Sequence, residues 1–421
     1  MRAGLARFLW LWLVPLGVFL AGLWRAFLTG QVDPWDWGPP TAAVLAGAGL
    51  LVARRGRAML VWLALGSTGT VLIFCGLAAG RAPDGRAAAG LVALAVLAVF
   101  GAALLRPHPF GSSLSRTDSA TAPASRLRSK RTVVGVGASG GAALLLWLGP
   151  VQPLGLLPDR PKLAVVTGLP LFWEETGRGG KRDAPIIRVL RTRFTIQPLD
   201  DPARLPASGA RRLLLAQPRA LSAGQMAAID RWVGAGGMAL VLADPLLRWP
   251  SALPLGDRRR APTISLLGPL LGHWGFAPDG PLEPSEIRHF LPDGALLTVS
   301  GAALTRDVPE RRAVGRGTVL LLRDADLIDD RLWLADPDRP LDPRVWSADT
   351  PGWIAAHMGA SMPPARHWMR TGGEVTRALR WTLLVGTGWA MLGALLLRRA
   401  QSASSAGTKR ENRLEKREGN G

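Results

Sequence analysis

The chain has 421 residues, of which 48% are hydrophobic and 19% charged, with a formal net charge of +20. That balance is too apolar for an ordinary soluble enzyme and too polar for a chain made only of membrane helices, so it predicts both parts in one polypeptide. A single cysteine, Cys75, lies in an apolar run, and the five histidines (His108, His273, His289, His357, His367) lack ligand spacing, which excludes an intrachain disulfide framework and a Cys-based metal site.

A helix needs about 20 apolar residues to cross the core of a bilayer. Residues 8–28 form the first such run, preceded by Arg2 and Arg7. A signal peptide is the rival reading, but the length of the run, its Trp10, Trp12 and Trp24, and the lack of a small-x-small cleavage site favour a retained anchor. Residues 29–40 make a turn-rich acidic loop whose Trp35 and Trp37 suit the headgroup level. Residues 41–53 are apolar but short, and cross only by recruiting the preceding Pro-Pro segment or a thin bilayer. Runs at 58–80 and 87–105 complete a membrane domain, 1–105, of about four spans.

Residues 106–131 are rich in Ser, Thr and Pro, end in RLRSKR, and read as a flexible basic cytoplasmic linker. A fifth span follows at 132–150. Its Gly135, Gly137, Gly140 and Gly141 would allow close packing against another helix, although a generic glycine-rich membrane helix is the favoured account of them. Residues 158–375 are polar enough for a water-soluble α/β domain. Residues 381–397 form a sixth span, and 398–421 a disordered, charged cytoplasmic tail.

Lys and Arg in short loops set orientation. Arg2 and Arg7, the three arginines at 54–57, the linker and the tail carry most of this charge, whereas loop 29–40 carries none. Six spans with an internal N-terminus place the rich segments in the cytoplasm and residues 158–375 outside it, in a multi-pass protein of the cell (inner) membrane. The excess positive charge then faces anionic membrane lipid. No basic stripe alternates with aromatics, so nucleic acid is not an expected partner.

Within the soluble part, Lys162–Thr167 reads as a strand that stops at Gly168-Leu169-Pro170. Asp183 is placed to cap a helix that carries Ile186, Ile187, Leu190 and Phe194 on one face. Strands are expected at 195–199, 212–216 and 238–243, with a helix between the last two opened by a capping box of Ser222 and Gln225. Residues 263–276 read as a helix kinked by Pro269, 318–323 as a late strand, and 349–360 as a last amphipathic piece. Alternating strands and helices predict a parallel sheet with helices on both faces.

The stretch LLLAQPRALSAGQMAAIDRWVGAGGMALVLADP resembles the auxiliary, gliding-type subunit of ABC transport systems. Pro218, Ser222, Ile229, Asp230, Trp232, Gly236, Gly237, Asp244 and Pro245 carry the resemblance, and LLGHWGF is similar to the family's next helix. It covers roughly 160–330 and implies a flavodoxin-like or class I glutamine amidotransferase-like parallel sheet, inserted into an α-helical multi-pass membrane protein. It also implies ABC ATPase and permease subunits as partners. The first 130 residues depart from the family's single-anchor layout.

Amidotransferase chemistry needs a Cys nucleophile on a strand-to-helix turn. The fourth strand instead ends Ala243-Asp244-Pro245, and no GxSxG-like elbow exists. Asp324, Asp326, Asp329 and Asp330 are the densest carboxylate group; Asp324 and Asp326 are weak metal candidates, since a solvated loop after a strand explains the group without an ion. Trp173, Glu174 and Glu175, beside Gly177, Gly179 and Gly180, follow the first strand and are the candidate ligand-binding residues, because open α/β sheets bind ligands beyond the carboxyl ends of strands. A mobile surface loop is the plainer reading. GRGG matches no nucleotide motif, and Trp232 and Trp274 read as core. No cofactor and no catalytic residue is expected. The function expected is a non-catalytic accessory component of an ABC-type transport system. A membrane-anchored scaffold of an envelope or stress complex is the alternative, and a hydrolase a weaker third.

Overall fold

Contacts divide the chain into two units, Met1–Val151 with His367–Gly421, and Gln152–Arg366. The computed structural model describes residues 2–106, 122–175, 180–278, 285–300 and 308–418. Most of the expected linker (107–121), Gly177, Gly179 and the tail residues 419–421 lie outside the described residues.

The first unit is built from α1 (Arg2–Thr29), α2 (Gly38–Val52), α3 (Arg57–Ala79), α4 (Gly85–Leu105), α5 (Ala122–Leu148) and a C-terminal helix, Gly372–Glu418. Among the described residues, five stretches are long and apolar enough to cross a membrane: Gly4–Thr29, Arg57–Ala79, Gly85–Leu105, Lys130–Leu148 and Gly372–Arg399. The short second run is not among them; α2 has 15 residues, about 22 Å at the α-helical rise. It is flanked by 3-10 turns, Pro34–Trp37 and Ala53–Arg55.

Three expectations for this unit change. Trp37 is not an exposed ring. It is fully buried, donates Nε1–H to the Phe19 carbonyl at 2.9 Å, and packs edge-on to Phe74. Burying a large ring with its one donor satisfied outweighs an interfacial position. The linker's last ten residues begin α5, and the C-terminal helix continues to Glu418 where disorder is expected; both stretches are rich in Ala, Arg, Lys, Leu or Glu, which extend a helix at little cost. Of the α5 glycines, Gly135 and Gly141 face Leu104–Leu105 and Leu97 of α4, whereas Gly137 and Gly140 face open space.

The segment before the C-terminal helix closes the unit. Val32 N donates to His367 O at 2.8 Å and Met369 N to Gly30 O at 2.8 Å. Arg370 caps α3, its backbone N donating to Ala78 O and its Nε to Ala79 O, both at 3.0 Å. The carboxyl ends of α1 and α3 therefore meet the same four residues.

The second unit holds a six-stranded sheet of β1 (Lys162–Thr167), β2 (Thr195–Pro198), β3 (Arg212–Ala216), β4 (Met238–Leu242), β7 (Glu310–Val314) and β8 (Gly317–Leu322), and a separate hairpin of β5 (Glu286–Phe290) and β6 (Leu296–Ser300). The sheet order is β2-β1-β3-β4-β8-β7. The first five strands are parallel and β7 joins antiparallel. The hairpin and β7 are not anticipated by the sequence reading. β7 (ERRAV) is an edge strand, largely exposed, and carries no apolar run to betray it.

Successive residues of β1, β3, β4 and β8 are buried on both faces, as expected of parallel strands. Two short helices, α6 (Pro185–Leu190) and α7 (Leu205–Ser208), precede and follow β2. One face of the sheet packs on Ile229, Trp232 and Val233 of α8 (Ala223–Gly234) and on Leu270 and Leu271 of α9 (Gly268–His273). The helix expected over 263–276 is only this short α9. Pro269 stands in its first turn, where a missing N–H costs nothing, so it starts the helix instead of kinking it. Nor does Asp183 cap the helix Pro185–Leu190; its carboxylate pairs with Arg191 at 2.5 Å.

Candidate functional site

The parallel strands all end at one edge of the sheet, where open α/β sheets bind ligands. A cavity of about 890 Å³ is bounded by the loops that follow β1, β4 and β8. Trp173, Glu174 and Glu175 line it, opposite Trp249 and Ser251, with Asp330 and Asp338 at another side.

The loop carrying these residues is a small hairpin. Trp173 and Lys181 form an antiparallel bridge, Glu174 N donates to Gly180 O at 3.1 Å, and Arg182 N donates to Phe172 O at 3.2 Å. Glu174 pairs with Arg182. Glu175 reaches across to the loop after β4, accepting from Ser251 Oγ at 2.8 Å and from Ala252 N at 3.0 Å. Both glutamates are thus engaged in building the wall. Trp173, Trp249, Arg188, Asp330 and Asp338 also line the cavity, two aromatic rings beside one positive and two acidic groups. Burial, with the neighbouring Asp329, raises the Asp330 carboxyl above its ordinary range. The described lining residues include no histidine or cysteine.

Beneath this edge lies a second group. β4 and β8 run in register with Leu242 opposite Leu322, so the residues two further on, Asp244 and Asp324, come side by side. Asp326 joins them, and one oxygen from each carboxylate lies within 4.8 Å of the others. All three are at most 1% exposed. Asp244 accepts from Leu246 N at 2.8 Å and Ala325 N at 3.0 Å. Asp324 accepts from Ser300 N at 2.5 Å and Leu327 N at 2.8 Å. Asp326 Oδ2 accepts from Arg248 N at 2.7 Å. Burial, helped by the charge of Asp244, holds Asp324 well above the usual carboxylate range, and burial pushes Asp326 up to about 7.

The solvated loop expected for these aspartates is therefore not what forms. Asp324, Asp326 and Asp329 are buried, and Asp329 caps the short helix Asp330–Trp333 while pairing with Arg331 at 2.6 Å. In the sequence Asp244 is legible as the end of a strand and as a motif residue, not as a member of a carboxylate group. Its grouping with Asp324 depends on β4 and β8 being neighbours across a long stretch of chain. Gln217 was missed entirely. It stands at φ +41° after β3, and its buried amide donates to Asp244 O and Pro262 O.

The motif residues build the frame and not the cavity wall. Ser222 and Gln225 form the expected capping box at the start of α8. Ile229 and Trp232 face the sheet, and Pro218 is buried beside Gln217. Gly236, at φ +112°, needs a conformation that side chains resist, and Gly237 leaves room for the Trp232 ring. Asp230 accepts from Trp274 Nε1 at 2.9 Å, which joins ID-x-W to LLGHWGF. Pro245 follows Asp244 and turns the chain away from β4.

No curated protein matches the chain. Among solved structures, an exo-beta-1,4-mannosidase, Op5Man5 from Opitutaceae bacterium strain TAV5, aligns at 13% identity over 66% of this chain, with a TM-score of 0.27. The chain spans about half of that structure (50%), and a likeness at this level carries no argument. Residues 160–280 match the family described as ABC-type uncharacterized transport system, the auxiliary family that the motif from Leu213 to Pro245 resembles.

Proposed function

We propose that this chain is a non-catalytic, membrane-anchored accessory component of an ABC-type transport system, whose soluble unit binds a partner or substrate outside the membrane. The observation that carries the reading is the family match over 160–280, which falls within a soluble unit inserted between apolar helices. Val133, Val136 and Trp147 of α5, and Leu384, Leu392 and Leu395 of the C-terminal helix, are exposed apolar side chains, as expected of surfaces that meet lipid or a permease. An order of 2-1-3-4-8 for the parallel strands supports a flavodoxin-like or class I amidotransferase-like reading of the sheet. Asp244 at the end of β4, where such an enzyme would carry its nucleophile, supports a binding role instead of catalysis. The cavity beside Trp173 is the surface offered to the ligand.

Gentle detergent purification from native cells tests the assignment. The chain should bring down an ABC ATPase subunit and a permease. Recovery of neither sinks the reading, and recovery of a MoxR-type ATPase instead would favour the scaffold alternative. Reporter fusions active only in the cytoplasm test the orientation: signal is expected at the C-terminus and none at residue 250.

A further inference from the structure

We infer that Asp244, Asp324 and Asp326 bind a divalent hard cation, Ca²⁺, at the carboxyl edge of the sheet. The three oxygens within 4.8 Å of one another fit across two Ca²⁺–O bonds of about 2.4 Å each. An acidic cluster alone would not establish this. The second observation is Asp326 Oδ1, which is out of contact with solvent and accepts no hydrogen bond, in a side chain 1% exposed. Its sister oxygen is taken by Arg248 N, so Oδ1 keeps its lone pairs for something the protein does not supply. A buried carboxylate oxygen left in this state is costly, and three buried carboxylates crowded together repel one another. A cation answers both costs at once.

The donor set identifies the ion's class. All three side-chain ligands are carboxylates, with no sulfur or imidazole, which selects a hard cation. Mg²⁺ gives up its water reluctantly and holds several waters when bound, whereas Ca²⁺ accepts carboxylates and carbonyls in irregular numbers. Aspartates with at most 1% exposure suit the second ion.

The ion would also have a consequence for the cavity. Asp326 Oδ2 holds Arg248 N, one residue before Trp249, and Ser251 and Ala252 bind Glu175. Fixing Asp326 fixes the loop 244–252, and with it one wall of the space beside Trp173.

The experiment uses the full chain in detergent, stripped with EGTA and titrated with CaCl₂ alone. Calorimetry should show a site of one ion per chain, and the melting temperature should rise by about 5 °C or more at saturation. Asp326→Asn should weaken that site at least tenfold. Because the variant could unfold, amide exchange on the wild-type protein gives a second reading: Leu246, Arg248, Ala325 and Leu327 should exchange more slowly with Ca²⁺. Absence of a stoichiometric site, unchanged exchange at those amides, or undiminished binding by a folded Asp326→Asn would each overturn the inference.

Discussion

Trp62 of α3 and Trp389 of the C-terminal helix stack at 4.2 Å between ring centroids, and each donates its indole N–H to the other's backbone carbonyl, at 3.1 and 3.2 Å. Each ring also lies over a glycine of the opposite helix, Trp62 over Gly393 and Trp389 over Gly66. The pair is therefore a reciprocal lock between two helices, made by residues 327 apart in sequence. Gly393→Val drives two methyl groups into the Trp62 ring, and is expected to cost about 1–3 kcal/mol. Trp62→Phe keeps the stack and loses one hydrogen bond, at about 1 kcal/mol. Thermal unfolding in detergent should rank the two variants in that order.

In the α/β unit, Asp230→Ala removes the acceptor for the largely buried Trp274 indole. A donor left without its partner costs about 1–3 kcal/mol. Asp230→Asn, whose amide oxygen still accepts, should recover most of that loss. Denaturant unfolding followed by tryptophan fluorescence measures both.

Gly317→Ala is expected to be among the most damaging single changes. A Cβ there would press into the backbone carbonyls of Val233 and Gly237, which close α8 onto the start of β8. Neither carbonyl belongs to a flexible side chain, so relief requires moving a helix end, at about 3 kcal/mol or more. Loss of a cooperative melt, or a steep fall in its midpoint by circular dichroism, is the expected result; a wild-type midpoint would show that the contact relaxes freely.

The two glutamates of the cavity wall should behave differently. Arg182→Ala breaks an exposed, solvent-screened pair with Glu174 and should leave the unfolding midpoint where it is in the wild type. Glu175→Ala unties the β1 loop from Ser251 and Ala252. It should speed amide exchange at Ala252 by tenfold or more without a comparable change in global stability.

How much of this was legible in the chain differs by element. β1, β3, β4 and β8 are short, apolar and flanked by Gly, Pro or Asp, and the sequence marks each within a residue. The Ser222–Gln225 capping box is local and equally readable. β5 and β7 are half-exposed strands, and a polar edge leaves no periodic trace; β6 (LLTVS) is buried, but its apolar run is short and its hairpin partner is polar. Trp173, Glu174 and Glu175 could be singled out because they follow the first strand, but the tie from Glu175 to Ser251 spans 76 residues. Asp244 and Asp324 are 80 residues apart in sequence, so only the strand order could join them. Composition reads what neighbours in sequence dictate, and the carboxylate group is made by neighbours in space.

The four residues from His367 to Arg370 also fix a level. They touch the end of α1 at Gly30 and the end of α3 at Ala78 and Ala79, so these two helices finish at one level. The chain between them must come back, and it does so along Pro34–Arg55, where two 3-10 turns lengthen α2 from about 22 to about 36 Å. A run that hydropathy alone leaves short thus reaches about as far as α3, and the return of the chain from the end of α1 to the start of α3 rests on those two turns. Cutting the short helix back by a turn would pull apart the level at which α1 and α3 finish, and with it the hold of His367 and Met369 on Val32 and Gly30.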